Sequence, residues 1–325
     1  MPDTRTGTIT RWRQLSPMLA TFRMVPEADH PFPSYEAGQY MALRRENCRL
    51  TRKVKGPDGG TRYVPDLDEG GRQKRGPVTR SYSIASAPCQ TQSEGYVEFL
   101  VVLELANTLG RFTESLFDMD PREGGSMRYV ERIVGAFTLA RRLQGASHIL
   151  MVATGTGLAP LLSMIRQLDH EAAGGATDVP SVTLVFASRT FSDLAFHEEL
   201  AGIAAAGRLD FVYVPSVSRP GDEQGHEVVG RGRANNVLRL ALDLRMTEEQ
   251  ALEETRNAGA DTADLEAVVA RAVTPQLPVG VDLTALRRRI DPGSTVVLTC
   301  GNPQGMQDVR EAAEGLGIRV EREEW

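Results

Sequence analysis

Two different spacings of apolar residues divide the chain. Up to about residue 140, apolar and polar residues alternate in short runs that Pro, Gly and polar clusters separate, which is typical of antiparallel strands. Six such strands with frequent turns predict a small antiparallel β-barrel. The predicted strands are Thr8–Trp12, Leu19–Val25, Gln39–Leu43, Tyr82–Ala85, Val97–Leu105 and Ser126–Val130, with one helical turn at Glu114–Asp118.

From His148 onward, continuous apolar runs replace the alternation. Such runs predict strands that are buried on both faces, as in a parallel sheet. Because they alternate with helical patterns, they indicate a Rossmann-like α/β domain with crossover connections. The predicted strands are Ile149–Ala153, Val182–Ala187, Phe211–Val214, Val296–Cys300 and Ile318–Glu321, and the helices are Ala159–Leu168, Leu194–Ala206 and Gln307–Gly315.

The 325 residues suit two domains, which we expect at 1–142 and 143–325. A basic insertion at about 44–78, rich in Gly and Pro, is expected as a surface loop within a hairpin. A helical insertion at about 239–290 is expected on the rim of the second domain. Within it, Thr247–Arg271 has seven acidic and two basic residues, and both a solvated lid and a partner surface stay open.

Composition narrows the function classes. A net charge of −6 makes nucleic acid an unexpected partner. No apolar run is long enough to span a membrane, and the N-terminal residues lack the apolar core of a secretory signal. Cys48, Cys89 and Cys300 form no CxxC pair, which argues against zinc or an iron–sulfur cluster and for a reduced, cytoplasmic setting. Redox chemistry would then need an organic cofactor.

Charge is unevenly distributed along the chain. Between Arg44 and Arg80 there are eleven Lys or Arg against five Asp or Glu, a net of +6, which leaves −12 for the rest. Such an asymmetry can steer an acidic macromolecule to one face. A solvated basic loop is the alternative interpretation.

The first candidate site is Arg80-Ser81-Tyr82-Ser83. An arginine fork suits a phosphate, and Tyr82, two residues along a strand, offers a flat ring on the same face. The Ser83 hydroxyl points the other way. One strand could thus hold the diphosphate, ring and edge of a cofactor, although a surface arginine beside a half-buried tyrosine explains the tetrapeptide equally well.

The second candidate site is Gly155-Thr156-Gly157-Leu158-Ala159-Pro160, directly after a predicted buried strand. Its glycines allow backbone N–H groups to approach a diphosphate at the start of a helix, where Pro160 is favoured. Pro160 replaces the third glycine of GxGxxG, and no Lys-Ser/Thr follows, so this is not a Walker loop. A plain strand-to-helix turn is the alternative.

The third candidate site is Cys300-Gly301-Asn302-Pro303-Gln304-Gly305-Met306, again after a predicted buried strand. Because ligands bind at the carboxyl ends of parallel strands, both glycine-bearing turns are expected at one edge. Taken alone, Cys300 is typical of a small core residue. The last residue, Trp325, is aromatic where chain ends are usually polar, so either surface packing or contact with a flat ligand is expected.

The order of these motifs is more informative than any one of them. R-S-Y-S at 80–83, G-R-F-T at 110–113, G-T-G-L-A-P at 155–160, C-G-N-P-x-G-M at 300–306 and a terminal aromatic together resemble the ferredoxin–NADP(+) reductase family. The resemblance covers nearly the whole chain apart from the two insertions. It implies an antiparallel β-barrel that binds FAD, followed by a Rossmann-like domain that binds NADP(H).

The resemblance also implies residue roles. Arg80 would hold the flavin diphosphate, Tyr82 would stack on the isoalloxazine, and Ser83 would bond near its N5. Cys300 would approach the nicotinamide, and Trp325, where the family often has Tyr, would cover the flavin or its adenine. Ser83, Cys300 and Trp325 are therefore the expected catalytic residues. Further expected contacts are Ser81, Gly110 and Thr113 for FAD, and Gly155, Thr156, Gly157, Pro160, Gly301 and Met306 for NADP.

Two arginines favour NADP over NAD. Arg189 follows the strand Val182–Ala187, where the family binds the ribose 2′-phosphate, and no acidic residue stands immediately after that strand to accept ribose hydroxyls. Arg233 matches a second family position, although Arg231 offers a competing register.

The implied activity is hydride transfer between NADP(H) and FAD, with single electrons passing to or from a ferredoxin or flavodoxin that docks at the basic 44–80 segment. Either direction of flow fits the sequence. Two alternatives stay open. One is an NAD(P)H-dependent flavin reductase component that feeds an oxygenase through a separate carrier. The other is a non-catalytic flavin- or nucleotide-sensing module, with the 239–290 insertion as its partner surface.

Overall fold

The computed structural model describes residues 4–57, 59–105, 109–119, 125–221 and 228–323. The chain divides into two units, Met1–Ala136 and Phe137–Trp325. The division comes before helix α3 (Leu139–Arg142), whereas we predicted it after residue 142. Contacts of α3 explain the difference, since Arg142 Nη1 donates to Glu321 Oε2 at 2.6 Å and ties the helix to the second unit.

Antiparallel pairing builds the first unit. Six strands form one half-barrel sheet in the order β6-β3-β8-β1-β2-β7, as the alternating pattern predicted. The strands are β1 (Thr4–Ser16), β2 (Leu19–Pro26), β3 (Tyr40–Arg49), β4 (Thr51–Lys55), β5 (Thr61–Pro65), β6 (Arg75–Ser83), β7 (Val97–Val102) and β8 (Gly125–Val134), with helices α1 (Pro88–Glu94) and α2 (Phe112–Phe117).

Apolar side chains from both ends of this sheet meet in one core. Val78 of β6 and Phe99 of β7, at opposite ends of the strand order, belong to one buried cluster, in which the Phe99 ring lies 5.1 Å from the Phe22 ring of β2, centroid to centroid. The outermost strands are also joined, because the backbone N–H of Ala85, just past β6, donates to the carbonyl of Glu98 in β7 at 2.8 Å. The chain after β6 is therefore held firmly against β7.

The basic insertion is more regular than predicted. Its two ends are strand rather than loop, since β3 continues to Arg49 and β6 begins at Arg75. Between them, β4 and β5 form a separate two-stranded sheet. The Leu50 N–H donates to Lys74 O at 2.8 Å, and the Leu50 carbonyl accepts from Asp66 N at 3.0 Å. The frequent arginines hid the inward-facing apolar positions, such as buried Cys48.

Parallel pairing builds the second unit, as the continuous apolar runs predicted. Its sheet has the order β12-β11-β10-β9-β13-β14. The strands are β9 (His148–Thr154), β10 (Ser181–Ser188), β11 (Phe211–Val217), β12 (Gly230–Arg231), β13 (Thr295–Cys300) and β14 (Arg319–Arg322). The helices after α3 are α4 (Leu158–Ala173), α5 (His197–Ala206), α6 (Ala234–Ala241), α7 (Thr247–Asn257), α8 (Ala263–Arg271), α9 (Leu283–Arg289) and α10 (Pro303–Glu314).

The strand order reverses direction beside β9. From β9 the chain proceeds through β10 and β11 to β12, and it returns to the other side of β9 as β13. Such a reversal leaves a crevice at the carboxyl ends of the two strands, where open α/β sheets bind ligands. Helix α5 begins at His197 rather than at Leu194, because Phe196 has a φ of +59° and interrupts helical geometry.

The helical insertion contains three further helices, α7 to α9, between the end of α6 and β13. The helical spacing of Leu, Ala and Val predicted this, although the insertion begins after Ala241 rather than at 239. Across the described ranges, no helix is both long and apolar enough to cross a membrane.

A buried histidine lies at the amino end of the parallel sheet. His148 is 3% exposed, and its ring nitrogens lie 3.1 Å from Thr295 Oγ1 and 3.0 Å from Thr183 Oγ1. Burial, assisted by the positive charge of Arg289, lowers the pKa of His148 to about 4. The ring is therefore neutral in the folded protein at physiological pH.

Acid should destabilise the protein partly through His148. An unfolded histidine titrates near 6.5, so between about 6.5 and about 4 only the unfolded chain gains a proton at this residue. Stability is lost as pH falls through that window, by roughly 3 kcal/mol at its acid end. Urea unfolding of the wild type and His148→Gln at about pH 7.5 and about pH 4.5 should show a smaller acid loss in the variant. Equal losses would contradict this account.

Candidate functional site

The structure brings the residues expected to bind flavin together in the first unit. Arg80 and Tyr82 lie on β6, and the turn at 110–113 leads into α2. Arg80 Nη2 donates to the carbonyl of Leu109, directly before that turn. The Tyr82 ring lies 5.4 Å from the Phe112 ring, centroid to centroid. A guanidinium, an aromatic ring and a helix start thus form one cluster.

Gly110 is required at this turn for two reasons. Its φ of +80° is unfavourable for other residues, and an added Cβ would lie 2.5 Å from Val78 Cγ2. Its N–H donates to Thr51 Oγ1 at 2.7 Å. Thr51 opens β4, so the base of the basic insertion holds the turn in place.

The remaining groups of the turn suit an anion. The Arg111 N–H donates to Arg49 O at 2.8 Å, and the next two N–H groups, those of Phe112 and Thr113, lie in the first turn of α2, where the helix itself offers no acceptor. Arg111 Nη1 is buried without a hydrogen-bond partner in the described structure. These donors fit the phosphate of a dinucleotide cofactor. The Thr113 hydroxyl accepts from the Glu104 N–H at 2.9 Å.

The side chains of the R-S-Y-S motif differ in their exposure to solvent. Ser81 is exposed, whereas Ser83 is buried and pairs with Tyr40 in the ladder. Burial raises the pKa of Tyr82, and the negative charge of Glu104 adds to the effect. The Tyr82 phenol therefore stays neutral.

In the second unit, the turns after β9 and β13 meet, as expected. An added Cβ on Gly157 would lie 2.6 Å from the Gly301 backbone nitrogen and would overlap the Cys300 carbonyl. Gly301 has a φ of +142°, and an added Cβ there would collide with the Thr154 side chain. The two turns can approach this closely only because both positions are glycine. Gly155, with a φ of +53°, instead has open space where a Cβ would stand.

A hydroxyl joins these turns. Thr154 Oγ1, at the end of β9, accepts from the Asn302 N–H at 2.9 Å. The Asn302 side chain in turn caps α10, accepting from Gln304 N and Gly305 N at 3.1 Å each. The starts of α4 and α10 are therefore fixed relative to each other. Pro160 and Met306, both buried, lie in the first turns of these two helices.

Cys300 is buried and faces a carboxylate. Its Sγ donates to Glu323 Oε2 at 3.3 Å, and both residues are at most 5% exposed. Burial, reinforced by Glu323, raises the pKa of the Cys300 thiol well above its usual range. The thiol therefore stays protonated and is not a nucleophile at neutral pH.

Two arginines lie side by side at the same sheet edge. Arg189 follows β10 and Arg219 follows β11, and the Arg219 N–H donates to the Arg189 carbonyl at 2.8 Å. Both residues are exposed. Their position beyond the carboxyl ends of adjacent strands suits a phosphate group of a ligand lying along this edge.

The two arginines that compete for the second family position, Arg231 and Arg233, have different surroundings near β12. Arg231 ends the strand and is exposed, bridging through its backbone to Gln276. Arg233 directly precedes α6 as its N-cap residue, and its Nη1 lies 3.6 Å from Glu248 Oε1 on the helical insertion. Arg233 therefore has a carboxylate neighbour that we did not expect from the sequence.

Sequence reasoning missed Thr51 in the first unit, and in the second unit it missed Thr154, Arg219, Glu248 and Glu323. Sequence contained a signal for Arg219, because Ser218-Arg219 follows the buried run of β11 just as Ser188-Arg189 follows β10. Glu323 lies among several acidic residues at the chain end, where nothing distinguishes it. Trp325, which we expected to be catalytic, lies outside the described residues.

Comparison with known proteins agrees with this geometry. Residues 151–252 match the family model described as the oxidoreductase NAD-binding domain. That match covers the turn after β9, Arg189 and Arg219. Together with the half-barrel that precedes it, the match places the chain in the class of two-domain oxidoreductase folds.

Three individual proteins show more specific similarities to this chain. The chain is 35% identical over 131 residues to ferredoxin–NADP reductase B of Sorangium cellulosum, covering 40% of this chain and 46% of that protein. It is 29% identical over 165 residues to methane monooxygenase component C of Methylosinus trichosporium, covering 51% and 43%. Its fold matches a crystal structure of a ferredoxin NADP+ reductase from Neisseria gonorrhoeae with bound FAD and NADP, with a TM-score of 0.59, 18% identity and 99% of both chains covered.

The chain contains an oxidoreductase NAD-binding domain and has the two-domain fold of a ferredoxin–NADP(+) reductase. It spans less than half the length of the first curated relatives that it matches, with 17%, 43% and 37% of those proteins covered.

Replacing Gly157 should disrupt the contact between the two turns. The Cβ of Gly157→Ala would overlap backbone atoms that cannot rotate away. We expect a loss of about 1–3 kcal/mol in the free energy of unfolding, measured by urea denaturation. The control is Gly202→Ala in α5, where a Cβ meets nothing within 4 Å and the change should stabilise the helix by about 0.5–1 kcal/mol. A Gly157→Ala protein as stable as the wild type would refute the close approach.

Proposed function

We propose that the chain is an FAD-dependent oxidoreductase that transfers hydride between NADP(H) and flavin and exchanges single electrons with a ferredoxin or flavodoxin. One observation supports this above the others. The carboxyl edge of the parallel sheet combines a glycine-bearing turn, open at Gly155, with the adjacent exposed Arg189 and Arg219. A dinucleotide with an additional phosphate has the matching groups.

In the first unit, Arg80 and the donors of the 110–113 turn would hold the flavin diphosphate, and Tyr82 would stack on the ring. The bound FAD and NADP of the Neisseria gonorrhoeae structure support this choice of cofactors. When bound, FAD would supply the conversion between two-electron and one-electron transfer. The chain's own part is to bind and orient the ring, with Ser81 exposed and Ser83 buried at the two ends of the motif.

In the second unit, Gly155, Thr156 and Gly157 would contact the coenzyme diphosphate, with Pro160, Gly301 and Met306 shaping the same edge. Arg189 and Arg219 would hold the 2′-phosphate through charge-assisted bonds. Residues immediately after β10 and β11 include no carboxylate that would instead accept ribose hydroxyls.

The proposed catalytic residues are Ser83, Cys300 and Trp325. Among them, Cys300 has a defined environment, since it stays protonated and donates to Glu323. Its role would be to position the nicotinamide by contact and not to attack it. The three free cysteines support the further proposal of a reducing, cytoplasmic setting.

The direct test is the absorption spectrum of the purified protein. We expect the flavin bands of a yellow protein, and we expect anaerobic NADPH to bleach them faster than the same concentration of NADH. A matched sample of Tyr82→Ala should retain less flavin, because the stacking ring is lost. A colourless protein that binds no added FAD, or a flavin that neither coenzyme reduces, would overturn the proposed function.

Within the basic segment, the structure distinguishes two kinds of cation. Several arginines are neutralised inside the unit: Arg44 and Arg128 lie 2.9 Å and 3.2 Å from Glu46, and Arg49 pairs with Glu114. The Arg45 guanidinium is also used within the unit, because it donates to two backbone carbonyls. These side chains serve the fold and are poor candidates for docking.

The basic side chains of the β4–β5 hairpin belong to the second kind. Arg52, Lys53 and Lys55 are exposed, and within the described residues none of the three lies within ion-pair distance of a carboxylate. Lys53 and Lys55 share one face of the strand, and Tyr63 stands opposite Lys53 in the register. We therefore place the docking surface for an acidic ferredoxin or flavodoxin on this hairpin, because complementary charge accelerates encounter.

Removing hairpin charge should slow electron transfer to the carrier. We expect Lys53→Gln/Lys55→Gln to lower the second-order rate with a purified acidic ferredoxin by roughly tenfold at low salt and to flatten its salt dependence. The NADPH-dependent bleaching of the flavin should be unchanged. The control is Arg11→Gln/Arg13→Gln, which removes two exposed charges from β1 in the same unit. Equal effects of the two double variants would exclude hairpin docking.

A second candidate is a reductase component that feeds an oxygenase through a separate carrier. The likeness to methane monooxygenase component C favours it. The same flavin and coenzyme sites would serve both functions. Steady-state rates with purified ferredoxins from the two kinds of system separate the candidates.

A further inference from the structure

The inserted helix α7 is anchored in the second unit by a buried polar network. Asp308 of α10 accepts from Arg239 at 2.5 Å, from Thr247 Oγ1 at 2.6 Å and from Asn235 Nδ2 at 2.8 Å. Burial alone would raise the pKa of Asp308, but the hydrogen bonds from Arg239, Thr247 and Asn235 outweigh it and lower the pKa. An ionised carboxylate therefore fixes the first residue of α7 to α6 and α10.

Glu248, the second residue of α7, is held by the same arrangement. Asn236 donates to Glu248 Oε2 at 2.8 Å, and its own Oδ1 accepts from the Thr247 N–H at 3.0 Å. The Glu248 side chain is only 11% exposed. Its other carboxylate oxygen, Oε1, lies 3.6 Å from Nη1 of Arg233, whose side chain is 70% exposed. Glu248 is thus a nearly buried, hydrogen-bonded carboxylate beside a largely exposed guanidinium.

Arg233 belongs to the sheet edge that has Arg189 and Arg219. It follows β12, which pairs with β11 through Ser216 and Val217, two residues before Arg219. Three consecutive strands, β10 to β12, therefore each lead into an arginine at their carboxyl ends. The helical insertion places a carboxylate against the last of them.

We propose that Glu248 lowers the selectivity of this site for NADP(H) over NAD(H) by engaging Arg233 and opposing the 2′-phosphate. This inference rests on the proposed function and specifies how the insertion regulates it. A carboxylate at this place weakens the positive potential that the arginines create. NAD(H) has hydroxyls where NADP(H) has its phosphate, so the carboxylate affects its binding much less.

The expected change in NADP(H) affinity is modest. Arg233 is largely exposed, and pairs of this kind contribute up to about 1 kcal/mol, which corresponds to about two- to fivefold in affinity. Glu248 cannot leave the site freely, because Asn236 holds it and Asp308 fixes its helix. The position of the carboxylate is therefore set by the fold, and Arg233 is the side chain through which it acts.

Glu248→Gln removes the charge and retains an oxygen that can accept from Asn236. With the flavin-containing protein and calorimetric titration of NADP+ and NAD+, we expect this variant to bind NADP+ about two- to fivefold more tightly, with NAD+ affinity unchanged. The control is Glu254→Gln on the same helix, where Glu254 accepts from Gln250 at 2.8 Å and the charge change is identical. Arg189→Gln provides the reference loss of NADP+ affinity.

The double variant Arg233→Gln/Glu248→Gln tests the mechanism. If Glu248 acts through Arg233, most of the gain from Glu248→Gln should disappear in the Arg233→Gln background. A Glu248→Gln protein with unchanged NADP+ affinity, or with equal gains for NAD+ and NADP+, would overturn this inference and leave the proposed function intact. Wild-type protein that binds neither coenzyme would refute both.

Discussion

The contact between the backbones after β9 and β13 is the constraint on which the rest of the second unit depends. These strands are paired in register up to Ala153 and Cys300, so their two chains leave the sheet side by side. Side chains at Gly157 or Gly301 would force them apart. The hydrogen bond from Asn302 N to Thr154 Oγ1 then fixes where α10 begins. The starts of α4 and α10, and with them the donors for a coenzyme, follow from this one close approach.

Both insertions are attached to the expected cofactor turns. Thr51, at the base of the β4–β5 hairpin, accepts the Gly110 N–H, and Glu248 on α7 lies beside Arg233. The helical insertion also pairs with β12 through the backbones of Arg231 and Gln276. Both insertions therefore help to hold the turns and strand ends at which cofactors are expected to bind.

Most of the fold could be predicted because buried segments have recognisable patterns of apolar residues in the sequence. The unbroken apolar run at 149–153 can only be a strand or helix buried on all sides, and its length and the following glycines favour a strand. The ends of the basic insertion could not be predicted, since inward-facing positions such as Cys48 are separated by arginines that point outward.

Among the expected site residues, those in compact motifs came together, because a motif fixes its own local geometry. Residues that reach a site from another element could not be identified in this way. Glu323 contacts Cys300 only because β14 ends beside β13, and Glu248 contacts Arg233 only because Asp308 holds α7 in place. Such pairings depend on tertiary packing, and a single sequence does not record them.

The separateness of the β4–β5 hairpin has a consequence for how its outer surface could diversify. The hairpin shares no ladder with the half-barrel and joins it through main-chain bonds around Leu50 and through the Thr51 hydroxyl, which accepts the Gly110 N–H. Residues beyond Thr51 can therefore change in number and charge while the turn at Gly110 keeps its support. In engineering terms the outer part of the hairpin is an exchangeable module, and Thr51 is the residue that an exchange has to retain.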